Sequence, residues 1–116
     1  MLFICYPKCT TCKAAQKWLD TNKISYTMRD IKEDNPTHKE LEQWYKKSQL
    51  PLKSFFNTSG LVYRDLGLKG KLPTMTEEEC LKLLATNGML LKRPMLIGDT
   101  VLLGFKDTKW KEVLGV

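Results

Sequence analysis

The sequence predicts an α/β fold in which helices pack on a small mixed sheet and a pair of cysteines follows the first strand. Three observations carry that prediction. The apolar run Leu2-Phe3-Ile4-Cys5 is closed by Tyr6-Pro7 and leads into Cys9-Thr10-Thr11-Cys12, a C-x-x-C pair placed where a strand gives way to a helix. Thr37-His38-Lys39-Glu40 and Thr76-Glu77-Glu78-Glu79 have the form of capping boxes, in which the Thr hydroxyl accepts the backbone N–H of the Glu and the Glu carboxylate accepts the backbone N–H of the Thr. Near the C-terminus, Met95-Leu96-Ile97 and Thr100-Val101-Leu102-Leu103 flank Gly98-Asp99, a two-residue turn of the kind that closes a hairpin.

The elements follow in order. A first helix opens at Thr10, with Ala14, Ala15, Trp18 and Leu19 at helical spacing, and ends at Asn22-Lys23. Ile24, Tyr26 and Met28 then alternate with Ser25 and Thr27 in the period of a second strand. A strand–helix–strand unit this short pairs its strands in parallel through a right-handed crossover. After a polar connection from Asp30 to Pro36, the first capping box opens a helix bearing Leu41, Trp44 and Tyr45, which Leu50-Pro51-Leu52 interrupts. Residues 53–67 read as short helical turns punctuated by Gly60 and Gly67. The second capping box opens a helix carrying Cys80, Leu81, Leu83 and Leu84, expected to end near Asn87-Gly88. A last helix, capped by Asp107, carries Trp110, Val113 and Leu114. With no repeat, linker or low-complexity tract, residues 1–116 are expected to form a single domain with a helical insert over about 35–88. The order of elements, with C-x-x-C after the first strand, makes the class thioredoxin-like.

A chain of 116 residues buries a core without disulfide staples or a structural metal, so its four cysteines are not needed as a scaffold. Met1-Leu2-Phe3-Ile4 is too short for a signal peptide and no long apolar run follows, so neither export nor membrane insertion is expected. The expected compartment is the cytoplasm, where clustered cysteines are catalytic, redox-sensing or metal-bound. The net charge of +6 comes from lysines spread along the chain, and only Arg29, Arg64 and Arg93 are arginines. That pattern reads as a solvated lysine-rich surface rather than a face for direct nucleic-acid binding, and it suits a small anionic substrate or an acidic protein partner.

A cysteine at a helix N-terminus meets unpaired N–H groups and partial positive charge, which stabilise its thiolate. Cys9 has that position, with Lys8 before it, Lys13 a turn further on, and the amides of Thr11 and Cys12 able to point at its sulfur. Cys12, one turn inward, is within reach for a disulfide with Cys9 and is the less exposed resolving thiol. The competing readings are weaker. Cys5-x-x-x-Cys9-x-x-Cys12 has the spacing of iron–sulfur radical enzymes, but those need a far larger barrel, and Cys5 ends an apolar strand. Cys80 falls on the apolar side of its helix and reads as core rather than as a zinc ligand, so no metal is expected. His38 reads as a surface histidine and Asp99 as a turn residue. Arg93 precedes a proline that restricts its backbone to extended conformations. Spacing leaves two readings of it open: a fixed guanidinium offered to an oxyanion at Cys9, or an arginine facing solvent.

Taken together, Cys9-Thr10-Thr11-Cys12-Lys13, the helical insert and Leu91-Lys92-Arg93-Pro94 resemble the family that joins glutaredoxin-coupled arsenate reductases with Spx-type transcription regulators. The resemblance covers nearly the whole chain. It implies a thioredoxin-like fold and a cis bond before Pro94 beside the cysteine loop. From the reductases it implies Cys9 as the thiol that attacks arsenate, no bound cofactor, and regeneration by an external thiol reductant such as glutathione with glutaredoxin or thioredoxin. It further implies an oxyanion held by arginines, one matching Arg93, with Lys53 standing roughly where a second is expected; the place of a third reads Gly104-Phe105-Lys106. Lys13 and Thr11 complete the expected substrate side of the loop. Cys12 stands where those reductases usually have serine, whereas Spx-type regulators use the C-x-x-C as a redox switch, bind the RNA polymerase α subunit and usually continue beyond the point where this sequence reads Leu114-Gly115-Val116. The segment Pro51–Gly60 looks more like the reductase-like members, and that branch is the expectation.

Overall fold

A computed structural model describes all of Met1–Val116. The chain forms two compact units, one made of Met1–Asp30 with Arg93–Val116 and the other of Ile31–Lys92.

The first unit is built on four strands, β1 (Leu2–Cys5), β2 (Thr27–Asp30), β3 (Met95–Ile97) and β4 (Val101–Leu103), in the spatial order β2-β1-β3-β4. β1 runs parallel to β2 and antiparallel to β3, and β3 is antiparallel to β4. This is the mixed sheet of a thioredoxin-like fold. Its two central strands are apolar throughout because both faces are buried, so Phe3, Ile4, Met95 and Leu96 are all at most 1% exposed. On one face Phe3, Cys5, Leu96 and Leu102 meet Cys12, Ala15 and Leu19 of helix α1 (Thr10–Thr21) and Trp110 of helix α6 (Asp107–Leu114). The α1 residues recur at the spacing of one helical face, and each fully buried Leu or Phe there contributes about 1.5–3 kcal/mol. Trp18 and Phe105 close this core edge-on against Trp110, whose indole N–H donates to the Gly104 carbonyl at 3.1 Å. Gly104 needs its missing side chain, since its φ is +71° and its own N–H donates to the Pro94 carbonyl at 2.8 Å.

Three local readings in this unit are corrected. The second strand starts at Thr27 rather than Ile24: Lys23 turns the chain with φ +58°, the Ile24 N–H donates back to Leu19, and ladder pairing begins only where Thr27 lies opposite Leu2. The hairpin turn has three residues, Gly98–Thr100, because Ile97 pairs with Val101 and the Gly98 N–H donates to the Thr100 carbonyl. Asp107 is the first residue of α6, and Lys106 precedes it as the cap residue, while the Asp107 carboxylate accepts the Thr108 N–H at 2.7 Å.

The second unit is helical. Helices α2 (His38–Ser48) and α5 (Glu77–Leu84) both begin with complete capping boxes, on Thr37 with Glu40 and on Thr76 with Glu79. Between them lie a 3-10 turn at Leu52–Phe55, helices α3 (Leu61–Asp65) and α4 (Leu68–Lys71), and a 3-10 turn at Leu72–Thr74. α5 stops at Leu84, short of the expected end, because the Asn87 side chain accepts the Met89 N–H and starts a separate 3-10 turn at Gly88–Leu90. Leu41, Trp44, Phe55, Phe56, Cys80 and Leu84 are buried in this unit.

Candidate active site

The strand-to-helix corner after β1 is tied by its own backbone. The Cys9 N–H donates to the Tyr6 carbonyl at 2.9 Å, and the Cys9 carbonyl accepts the Lys13 N–H at 3.0 Å, the first hydrogen bond of α1. Cys9 is therefore the cap residue, in extended conformation, with its side chain at the helix N-terminus. Part-burial pushes its thiol up. The amides of Cys12 and Thr11, the Cys12 thiol and the positive charge of Arg93 outweigh that, and the Cys9 thiol lies below its ordinary range. No tight cap hydrogen bond closes on the sulfur, so the amides act by orientation and charge.

The neighbouring thiols go the other way. Cys12 is buried, and burial pushes it up to about 12, with the nearby Cys9 and Cys5 adding to the rise. The Tyr6 N–H donates to its sulfur at 3.3 Å and opposes the shift. Cys5, buried at the end of β1 opposite Asp30, is pushed up to about 11 by burial, by the Asp30 carboxylate and by Cys9. All four cysteines are free thiols. The corner thus sets one part-exposed, acidified thiol beside one buried, protonated thiol, a combination suited to nucleophilic attack followed by internal disulfide formation.

Arg93 enters this corner from the other end of the same unit. Its peptide bond to Pro94 is cis, Pro94 is buried, and the guanidinium carbon lies 5.7 Å from the centroid of the Tyr6 ring. Of the two readings that spacing left open, the geometry is that of an arginine held beside the cysteine loop, half-buried, with its charge felt at Cys9. Thr11 and Lys13 contribute main-chain N–H groups to the corner, and their side chains are exposed. Lys53 belongs to the helical unit. It is exposed on the Leu52–Phe55 turn and lines a cleft of about 260 Å³ with Tyr45, Phe56, Met75, Glu77 and Cys80. Tyr6 is the residue that sequence reasoning missed. A tyrosine before a proline reads only as a turn, and nothing in its spacing signals contact with an arginine some ninety positions away.

Donor atoms of His38, Glu42 and Glu78 lie within 4.8 Å of one another in the helical unit. Glu42 also faces Lys46 at 3.5 Å and Glu78 faces Lys82 at 4.0 Å, both exposed ion pairs, and His38 Nε2 lies 2.9 Å from Glu78.

Known proteins resemble this chain along nearly its whole length. The ArsC family model matches residues 5–113. The uncharacterized protein YusI of Bacillus subtilis is 48% identical, over 97% of this chain and 96% of its own length. The crystal structure of an ArsC family related protein from Bacteroides fragilis superposes with a TM-score of 0.92 at 56% identity, covering 97% of this chain and 95% of that one. That of a possible arsenate reductase from Streptococcus mutans superposes with a TM-score of 0.89 at 41% identity, covering 99% and 97%. At lower identity, 28%, the regulatory protein MgsR of Bacillus subtilis aligns with 85% of this chain and 77% of its own length. A family model spanning almost the whole chain and structures of the same fold agree, and the chain belongs to the ArsC family.

Proposed function

We propose that this protein is a cytoplasmic thiol-dependent oxidoreductase of the arsenate-reductase type, acting on a small oxyanion or a disulfide. The observation that carries the reading is the pairing of an acidified Cys9 thiol with a buried, protonated Cys12 one helical turn inward. With arsenate, the Cys9 thiolate displaces one oxygen, which leaves as water after protonation, and a sulfur–arsenic bond forms. Arg93 offsets the negative charge brought beside the thiolate. Cys12, held protonated chiefly by burial, must lose its proton to act at the next stage. The Cys12 thiolate then attacks the Cys9 sulfur. The sulfur–arsenic bond breaks, its electron pair stays on arsenic, and trivalent arsenic leaves as the Cys9–Cys12 disulfide forms. An external thiol reductant, glutathione with glutaredoxin or thioredoxin, returns two electrons and two protons to the pair, and no bound cofactor is needed. Lys13 and Thr11 remain candidates on the substrate side, and Lys53 belongs to the other compact unit. No helix is long and apolar enough to cross a membrane.

The second reading is an Spx-type redox-sensing regulator that binds the RNA polymerase α subunit. It is favoured by Cys12, which stands where the reductases usually have serine, and by the similarity to a regulatory protein. Turnover of arsenate or of a small disulfide with a thiol reductant, measured on wild type and Cys12→Ser, separates the two. Turnover that depends on Cys9 supports the enzyme. Absence of turnover, together with co-purification of a polymerase subunit that is lost in Cys9→Ser, supports the regulator and overturns the first reading.

A further inference from the structure

The thiol corner and the arginine are joined through one residue that neither the C-x-x-C nor the Arg-Pro pattern contains. Tyr6 contacts Cys9, Cys12 and Arg93. Its carbonyl accepts the Cys9 N–H at 2.9 Å, its N–H donates to the Cys12 sulfur at 3.3 Å, and its ring lies under the Arg93 guanidinium, 5.7 Å from centroid to carbon. An arginine has many rotamers and projects its charge at the end of a long flexible chain. A flat aromatic face within about 6 Å restricts that freedom by cation–π attraction. The main-chain contacts bear on where the two sulfurs sit and the ring contact on where the guanidinium sits, so this side chain bears on the spacing between nucleophile and positive charge.

We propose that Tyr6 is the positioning residue of the site, holding the Arg93 guanidinium beside Cys9 through its ring. The role deepens the reading of Cys9 as the nucleophile, and it acts through Arg93 rather than on substrate. Tyr6 is only part-buried, so Leu in its place removes the aromatic face without opening the core. Phe in its place keeps the face and removes only the hydroxyl.

The test is a two-residue cycle read at Cys9. The pH dependence of iodoacetamide alkylation of Cys9, together with its ultraviolet thiolate absorbance, is measured on wild type, Tyr6→Leu, Tyr6→Phe, Arg93→Gln and Tyr6→Leu/Arg93→Gln, with circular dichroism as the control for folding. Tyr6→Leu is expected to raise the pH at which Cys9 ionises, Tyr6→Phe to leave it at the wild-type position, and Tyr6→Leu to add nothing once Arg93 is Gln. If turnover of an oxyanion is found, KM should rise about two- to fivefold in Tyr6→Leu, the size expected for losing one exposed cation–π contact, with a smaller effect on kcat. Should Tyr6→Leu not fold, Tyr6→Met carries the same comparison. An equal shift with and without Arg93, or a Tyr6→Phe variant that behaves like Tyr6→Leu, would overturn the proposal. Because Cys9 ionisation is read without substrate, these outcomes are distinguishable from failure of the reductase reading, which shows as absent turnover with the cycle intact.

Discussion

Brief alkylation of the native protein at neutral pH should label Cys9 and spare the other three thiols. A free cysteine, with a pKa of ~8.5, is roughly 3% thiolate at pH ~7, and Cys9 exceeds that because its thiol lies below the ordinary range. Cys12, pushed up to about 12, holds a thiolate fraction on the order of 10⁻⁵ at the same pH, and Cys5, pushed up to about 11, on the order of 10⁻⁴. Ionisation alone therefore separates Cys12 from a free thiol by three to four orders of magnitude, roughly three-thousandfold. Burial separates them further, since Cys5 and Cys12 are 1% and 2% exposed. Cys80 is buried as well, and burial followed by Glu79 and Glu77 pushes it upward. The assay is a timed pulse of iodoacetamide, an acid quench and peptide mass spectrometry, repeated across pH to obtain the midpoint for Cys9. In Cys9→Ser, Cys12 should become reactive at lower pH than in wild type, because the charge that helped keep it protonated is gone. A Cys9 midpoint at or above that of free cysteine, or labelling of Cys12 at a rate comparable to Cys9 in the folded protein, would refute the reasoning.

Two further outcomes concern stability. Cys5 and Cys12 have folded-state pKa values raised to about 11 and about 12, above an unfolded value of ~8.5, so as pH rises past ~8.5 the unfolded chain loses protons that the native state keeps. Stability should then fall by up to about 1.4 kcal/mol per pH unit for each thiol, and urea denaturation of Cys5→Ala and Cys12→Ala should each show a shallower decline than wild type. Cys9 acts in the opposite sense: its contribution is present above the unfolded pKa and lost as pH falls through the lowered folded one. Identical alkaline slopes in all three proteins would contradict the burial argument. In the helical unit, Thr37→Ala and Thr76→Ala each remove the side-chain acceptor for an N3 backbone N–H and should cost about 1 kcal/mol, while Thr→Ser at the same positions costs much less. Chemical denaturation reads both, and an Ala variant as stable as wild type would show that its cap contributes nothing.

Much of the architecture was legible because the signals are local. Two capping boxes announce α2 and α5, an unbroken apolar run announces β1, and Ala15, Trp18 and Leu19 at helical spacing announce the face of α1 that meets the sheet, whereas Ala14, read with them, is exposed. The boundaries that shifted did so for non-local reasons. Thr27, rather than Ile24, begins β2 because pairing with Leu2 decides where a strand starts, and Ile97 pairing with Val101 sets the length of the hairpin turn.

The C-x-x-C at a strand-to-helix corner determined by itself that Cys9 meets a helix N-terminus, since chain direction and spacing dictate which amides face the sulfur. Only the tertiary structure decided the rest. Charge, burial and aromatic contact depend on distance in space, and the sheet order brings Arg93 from the far end of the chain to the Tyr6 ring and the Cys9 thiol. The same packing buries Cys12 and Cys5, which raises their thiols and divides three cysteines that look alike in sequence into one acidified thiol and two protonated ones.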